Sequence, residues 1–126
     1  MTDPVFDVHV GELHAVAHAS DDAMTLTLVG TAAVTSQPVL NQLLGRLHSE
    51  SQRANMREVV VDILKLEFMN SSCFKSFITW IVALRRLPEE QRYRIRFRAK
   101  LDEYWQERSL HAISYFGGDL ISIEQG

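Results

Sequence analysis

Three groups of residues in this chain of 126 carry side chains able to do chemistry, and their spacing limits what each could do. The first is Asn70-Ser71-Ser72-Cys73-Phe74-Lys75. Ser72 and Lys75 spell Ser-x-x-Lys, which on a helix places an amine one turn from a nucleophilic hydroxyl, as in penicillin-recognising enzymes. No Lys-Thr-Gly or Ser-Asp-Asn element accompanies it, and the chain is far smaller than those enzymes, so catalysis is not expected. Cys73 beside a helix start could sense oxidants through a stabilised thiolate, but no second cysteine is present to resolve an oxidised form. A small buried side chain is the reading preferred.

The second group is His9, His14 and His18. His14 and His18 share a strand face, yet four residues of strand separate them by roughly 13 Å, beyond the reach of one ion. His9 can approach one of them across a hairpin, but imidazoles on a polar sheet face are ordinary, and neither a metal centre nor another cofactor is expected. The third group is Arg92, Arg94, Arg96, Arg98 and Lys100, five cations on one strand face of an acidic protein. Glu58 and Asp62 on a neighbouring strand, or Glu124 on another, can neutralise them across the sheet. That reading is preferred to an acidic docking partner, with nucleic acid last.

Thirteen Lys and Arg stand against 16 Asp and Glu, a net charge of −3, too balanced to draw the chain to nucleic acid or a membrane surface. The longest apolar run, Phe77 to Leu84, is interrupted by Thr79 and falls well short of the roughly 20 residues that span a bilayer. Asp3 and Pro4 stand where an export signal needs basic residues, and a lone cysteine fits a reducing compartment. The expectation is a cytoplasmic protein, with residues 1–126 forming one domain around one core.

The elements that must position these groups follow from two periodicities. Phe6, Val8 and Val10 alternate with polar neighbours, break at Gly11-Glu12, and alternate again through Leu13, Ala15 and Ala17, which predicts a hairpin. Met24 to Gly30 adds a third strand. Ser36 before Pro38 starts a helix bearing Val39, Leu40, Leu43, Leu44 and Leu47. Glu58 to Leu64 is a β-branched run that predicts an interior strand. A short loop should then lead to Asn70, Ser71 and Ser72, helix-capping types, followed by a stripe of Phe74, Phe77, Ile78 and Ile81. Trp80 lies off that stripe, on a flank with Cys73 and Leu87, to be covered by the first helix or by a partner. Tyr93 to Lys100 alternates strictly. Asp102 should cap a third helix carrying Trp105, Ser109, Ala112, Ile113 and Phe116, with Gly117-Gly118 stopping it before a last strand at Leu120 to Glu124.

The order β-β-β-α-β-α-β-α-β implies an α/β fold with a mostly parallel sheet after an N-terminal hairpin. One face of that sheet collects Thr25, Thr27, Glu58, Asp62, the arginines, Ser122 and Glu124. A helix laid over the arginines would desolvate them at a cost of several kcal/mol each, so two layers are expected, with the helices packed on one face.

Phe68-Met69-Asn70-Ser71-Ser72-Cys73, after a hydrophobic strand, resembles the Phe-Met-Asp-Ser-Ser-Gly signature of the STAS domain of bacterial anti-sigma factor antagonists. Asn70 and Cys73 replace that family's acid and glycine, and the order of elements from Met24 to Glu124 fits it too. The resemblance implies a regulator in signal transduction and transcription control, whose partner is a serine kinase that is also an anti-sigma factor. It places the phosphorylated serine at Ser72. The docking surface expected is Asn70, Ser71, Ser72, Cys73, Lys75 and Trp80. The rival reading keeps the fold and drops the switch: a constitutive assembly module that forms a homo-oligomer or scaffold.

Overall fold

The structure, a computed structural model, describes residues 3–126. In chain order the elements are β1 (Phe6–Val10), β2 (Leu13–Ala19), β3 (Ala23–Ala32), α1 (Gln37–Arg53), β4 (Glu58–Met69), α2 (Ser71–Arg85), β5 (Arg94–Ala99), α3 (Tyr104–Gly117) and β6 (Ile121–Gln125). The six strands form one sheet in the order of the chain, antiparallel across β1, β2 and β3 and parallel from β3 to β6. Each helix therefore joins a parallel strand to its immediate neighbour, always stepping the same way. Right-handed crossovers that all step one way deposit every helix on one side, which gives the two layers expected from the polar strand positions.

The helix-covered side of the sheet is apolar. Leu13, Ala15 and Ala17, then Met24, Leu26 and Leu28, then Val59, Val61 and Ile63, then Ile95, Phe97 and Ala99 are all buried in a single cluster. They meet Leu40, Leu43, Leu44 and Leu47 of α1, as the helical spacing predicted. Two helix stripes differ from expectation. The buried side of α2 is Cys73, Ser76, Phe77, Trp80, Ile81 and Leu84, so Trp80 belongs to the core and Phe74 and Ile78 to its margin. The buried side of α3 is Gln106, Leu110, Ile113 and Gly117, with Glu103 rather than Asp102 as its N-cap. Trp105 is only half buried and Phe116 is exposed, because a polar residue occupies the core position that hydropathy assigned to an aromatic.

Trp80 is covered as a donor as well as a ring. Its Nε1–H donates to the Tyr93 hydroxyl at 2.6 Å, and that hydroxyl lies 2.6 Å from His48 Nδ1 on α1. Tryptophan only donates, so the Tyr93 oxygen accepts from Trp80 and its hydroxyl makes a second hydrogen bond with His48 Nδ1. Burial holds His48 below its ordinary 6.5, which favours its neutral ring.

The open side carries the arginines. Arg96 donates to Glu58 at 3.0 Å and also to Glu124, while Arg98 donates to Glu124 at 2.8 Å and lies 3.9 Å from Asp62. The cross-sheet neutralisation expected from sequence is therefore present for Arg96 and Arg98, whereas Arg94 is exposed with no ion pair among the described residues. Arg92 is not on the strand. It precedes β5, where its guanidinium donates to the carbonyls of Leu87 at 2.9 Å and Arg85 at 2.8 Å, satisfying acceptors at and just beyond the end of α2. Lys100 likewise lies past the end of β5.

The hydrogen bond from Arg96, foremost, holds the Glu124 carboxyl below its ordinary 4.5. A depressed carboxyl contributes stability that is complete above its unfolded value and is lost as pH falls through its folded one. Urea midpoints recorded from about pH 5 to 3 should fall less steeply in Glu124→Gln than in the native chain. Parallel curves would show that these ion pairs do not couple to folding.

Candidate functional site

The segment that carries the serines is held by a long strand, not by a loop. β4 continues past the apolar run to Met69, correcting the short loop expected there. Two irregularities disguise it. Between the pairs Thr27↔Asp62 and Val29↔Lys65, β3 advances two residues while β4 advances three; between Gly30↔Leu66 and Thr31↔Phe68, β3 advances one while β4 advances two. Each extra residue is a bulge, which bends the strand and resets its alternation.

On its other edge β4 pairs with β5 only from Glu58 to Asp62. Beyond that point α3 supplies the missing partner. Gln106, 1% exposed, donates from Nε2 to the carbonyls of Ile63 at 2.9 Å and Leu66 at 3.1 Å, and its Oε1 accepts the Lys100 N–H at 2.8 Å. A single buried amide thus ties the bulged end of β4 to the end of β5.

The strand delivers Asn70 to the N-cap of α2. Its backbone N–H donates to the Ala32 carbonyl at 2.8 Å, and its Oδ1 accepts both the Ser72 N–H at 2.9 Å and the Ser72 hydroxyl at 2.8 Å. Asn70 caps the helix as an aspartate would, since capping needs an acceptor oxygen and not a charge. Ser71 and Lys75 are exposed and Ser72 is half buried, so these side chains are accessible at the first turn. The Ser72 hydroxyl points its proton at Asn70, not at an amine, and the Ser-x-x-Lys spacing yields no hydrogen bond between Ser72 and Lys75 among the described residues.

Two of the six residues expected at the docking surface turn inward. Cys73 is fully buried with its thiol donating to the Ala33 carbonyl at 3.3 Å, and burial pushes that thiol up, away from thiolate reactivity. Trp80 is 4% exposed, and the ring that could have been an anchor is instead a core residue. Sequence reasoning missed the aromatics exposed beside the capping turn. Phe68 is 50% and Tyr104 73% exposed, and with Phe74, Trp105 and Arg108 they line a shallow groove of about 510 Å³ between the start of α2 and α3. The Phe68 and Trp105 rings lie 6.5 Å apart at 58°, and the Arg108 guanidinium sits 5.5 Å over Tyr104. Asn70 and Ser71 form one wall of the same groove, so the capping turn and the aromatics are one surface. The signal for it was available in Phe68 itself, an aromatic immediately before the capping turn.

No protein-family model and no curated protein sequence matches this chain. Solved structures do. An anti-sigma factor antagonist from Mycobacterium paratuberculosis is 15% identical, with a TM-score of 0.64 over 87% of this chain and 85% of the other. A chain of the complex of the diguanylate cyclase SiaD with its activator SiaC, from Pseudomonas aeruginosa, is 10% identical, with a TM-score of 0.60 over 96% and 99%. A protein from Shewanella loihica described as having a SpoIIAA-like fold is 14% identical, with a TM-score of 0.52 over 96% and 90%. The six-stranded sheet with three helices on one face is therefore a STAS-like, SpoIIAA-like fold.

Proposed function

We propose that this STAS-like chain is a non-enzymatic, single-domain cytoplasmic regulator that docks a protein partner on the surface formed by Phe68, Asn70, Ser71, Ser72 and Lys75 together with the aromatic groove of α3. The observation that carries the reading is the continuity of exposed aromatic surface with an accessible helix start. Monomers rarely leave adjacent aromatics in water without a use for them, and aromatics and arginine are enriched among the anchors of protein interfaces. Two fold neighbours support a regulatory role: one is named an anti-sigma factor antagonist, and the other structure contains an activator bound to its cyclase.

The finer reading is a bacterial transcription-control switch in which a serine kinase that is also an anti-sigma factor phosphorylates Ser72. The hydroxyl now bound to Asn70 would become a dianion beside the positive end of the α2 dipole, tolerated by the fold and placed at the edge of the docking surface. The rival is a constitutive assembly in which a second copy or a scaffold covers the groove.

Isothermal titration of the co-purified partner against three forms of the chain tests this. Ser72→Asp should weaken binding by about 2 kcal/mol, roughly thirtyfold, with the melting temperature unchanged, and Ser72→Ala should bind nearly as the native chain does. Indifference of the partner to Ser72→Asp rejects docking at this surface. Normal docking, with no phosphate found by intact-mass analysis of the native protein under any growth condition, rejects the switch in favour of the constitutive reading.

A further inference from the structure

We propose that the outer face of the β1–β2 hairpin binds one divalent transition-metal ion through Asp7, His9 and His14. Spacing along one strand excludes His14 with His18; the cluster arises instead across two strands, and the register shows that His14 is the histidine facing His9. The two-residue turn Gly11-Glu12 closes on the pair Val10↔Leu13, and this places His9 directly opposite His14. Their rings stack with centroids 3.8 Å apart and planes 13° from parallel. Asp7 stands two residues before His9 on the same face, and its Oδ1 lies 2.7 Å from His14 Nε2. One ligand atom from each of the three residues lies within 4.8 Å of the other two.

Tetrahedral bonds of about 2.0–2.1 Å put ligand atoms about 3.4 Å apart. Rotation of these side chains, two exposed and one half buried, has to close the observed spread to that value. Between His14 Nε2 and Asp7 Oδ1 a proton now fills the position the ion would take. In the other neutral tautomer of His14 that proton sits on Nδ1, which frees the Nε2 lone pair for the ion with no net loss of a proton.

The donor set defines the class of ion. Two imidazoles and one carboxylate suit zinc, copper or nickel, while magnesium and calcium require an oxygen shell that these residues do not supply. Three protein ligands leave the remaining coordination to water. Because β1 is an edge strand whose single neighbour is β2, an ion bridging His9 and His14 would clip that edge.

The test uses the full chain and Zn²⁺ alone. Isothermal titration should give one ion per chain with a micromolar Kd and a higher melting temperature when zinc is present. His9→Ala and His14→Ala should each weaken binding by at least about tenfold, while His18→Ala changes it less than about twofold. In the native chain, substoichiometric Cu²⁺ should broaden the imidazole resonances of His9 and His14 before those of His18, His48 and His111, a readout that needs no variant. Absence of saturable zinc binding, retention of binding in both alanine variants, or broadening that begins elsewhere overturns the proposal.

Discussion

Replacing Gln106 by leucine should destabilise the protein by about 3 kcal/mol, although the side chain keeps its size and becomes more apolar. The residue is 1% exposed and makes three hydrogen bonds, to the carbonyls of Ile63 and Leu66 and from the N–H of Lys100. Leucine leaves all three backbone groups without partners. A buried group so orphaned costs about 1–3 kcal/mol, far more than the added apolar contact returns. Urea midpoints at constant slope measure the loss, and a change below about 1 kcal/mol would show that water replaces the amide. The same variant should speed hydrogen exchange at residues 66–70, because the bulged end of β4 loses the hydrogen bonds from Gln106 on that edge. Docking should then weaken with no contact residue altered.

Gly30→Ala should cost more, about 3–5 kcal/mol. Gly30 has a φ of 98°, and a Cβ there would overlap the carbonyl oxygen of Glu12. That carbonyl cannot withdraw cheaply, since it belongs to the hairpin turn and accepts the Thr31 N–H at 3.1 Å. The glycine also lies where β3 pairs with Leu13 on one side and with the second bulge of β4 on the other. Gly11 provides the comparison. Its φ is 58°, but nothing lies within 4 Å of the position of its Cβ, so Gly11→Ala carries only the backbone term of about 1–2 kcal/mol. Equal losses in the two variants would refute the steric account.

The strands and helices were legible wherever one period ran without interruption. Met24, Leu26 and Leu28 alternate against threonines, and Leu40, Leu43, Leu44 and Leu47 keep helical spacing, so each named its own buried face. The pairing of Arg96 and Arg98 with Glu58, Asp62 and Glu124 was legible too, because parity alone assigns strand residues to a face. Lys65 to Met69 was not, since two bulges insert residues and cancel the parity that marks a strand. Arg92 kept step with Arg94 in sequence while the backbone before β5 is still turning. The stripe of α3 was misplaced because its core position is a glutamine whose polarity is consumed by backbone carbonyls. Half of the candidate site was legible as Asn70, Ser71, Ser72 and Lys75. The groove was not, for it requires knowing that Phe68 and Trp105, distant in sequence, share an edge.

The chain-order sheet described above also bears on how the protein forms. From the hairpin onward, each strand arrives after the one it pairs with, and each helix lies in the chain between two strands that become neighbours. No strand has to be inserted between two others, as happens wherever a sheet grows in both directions from its centre. Loop-closure entropy is met in short instalments, and non-local pairing, the slow step of most parallel sheets, reduces here to annealing one βα unit at a time onto a growing edge. A chain emerging residue by residue during synthesis can therefore commit its N-terminal part to native pairings before its C-terminal part exists.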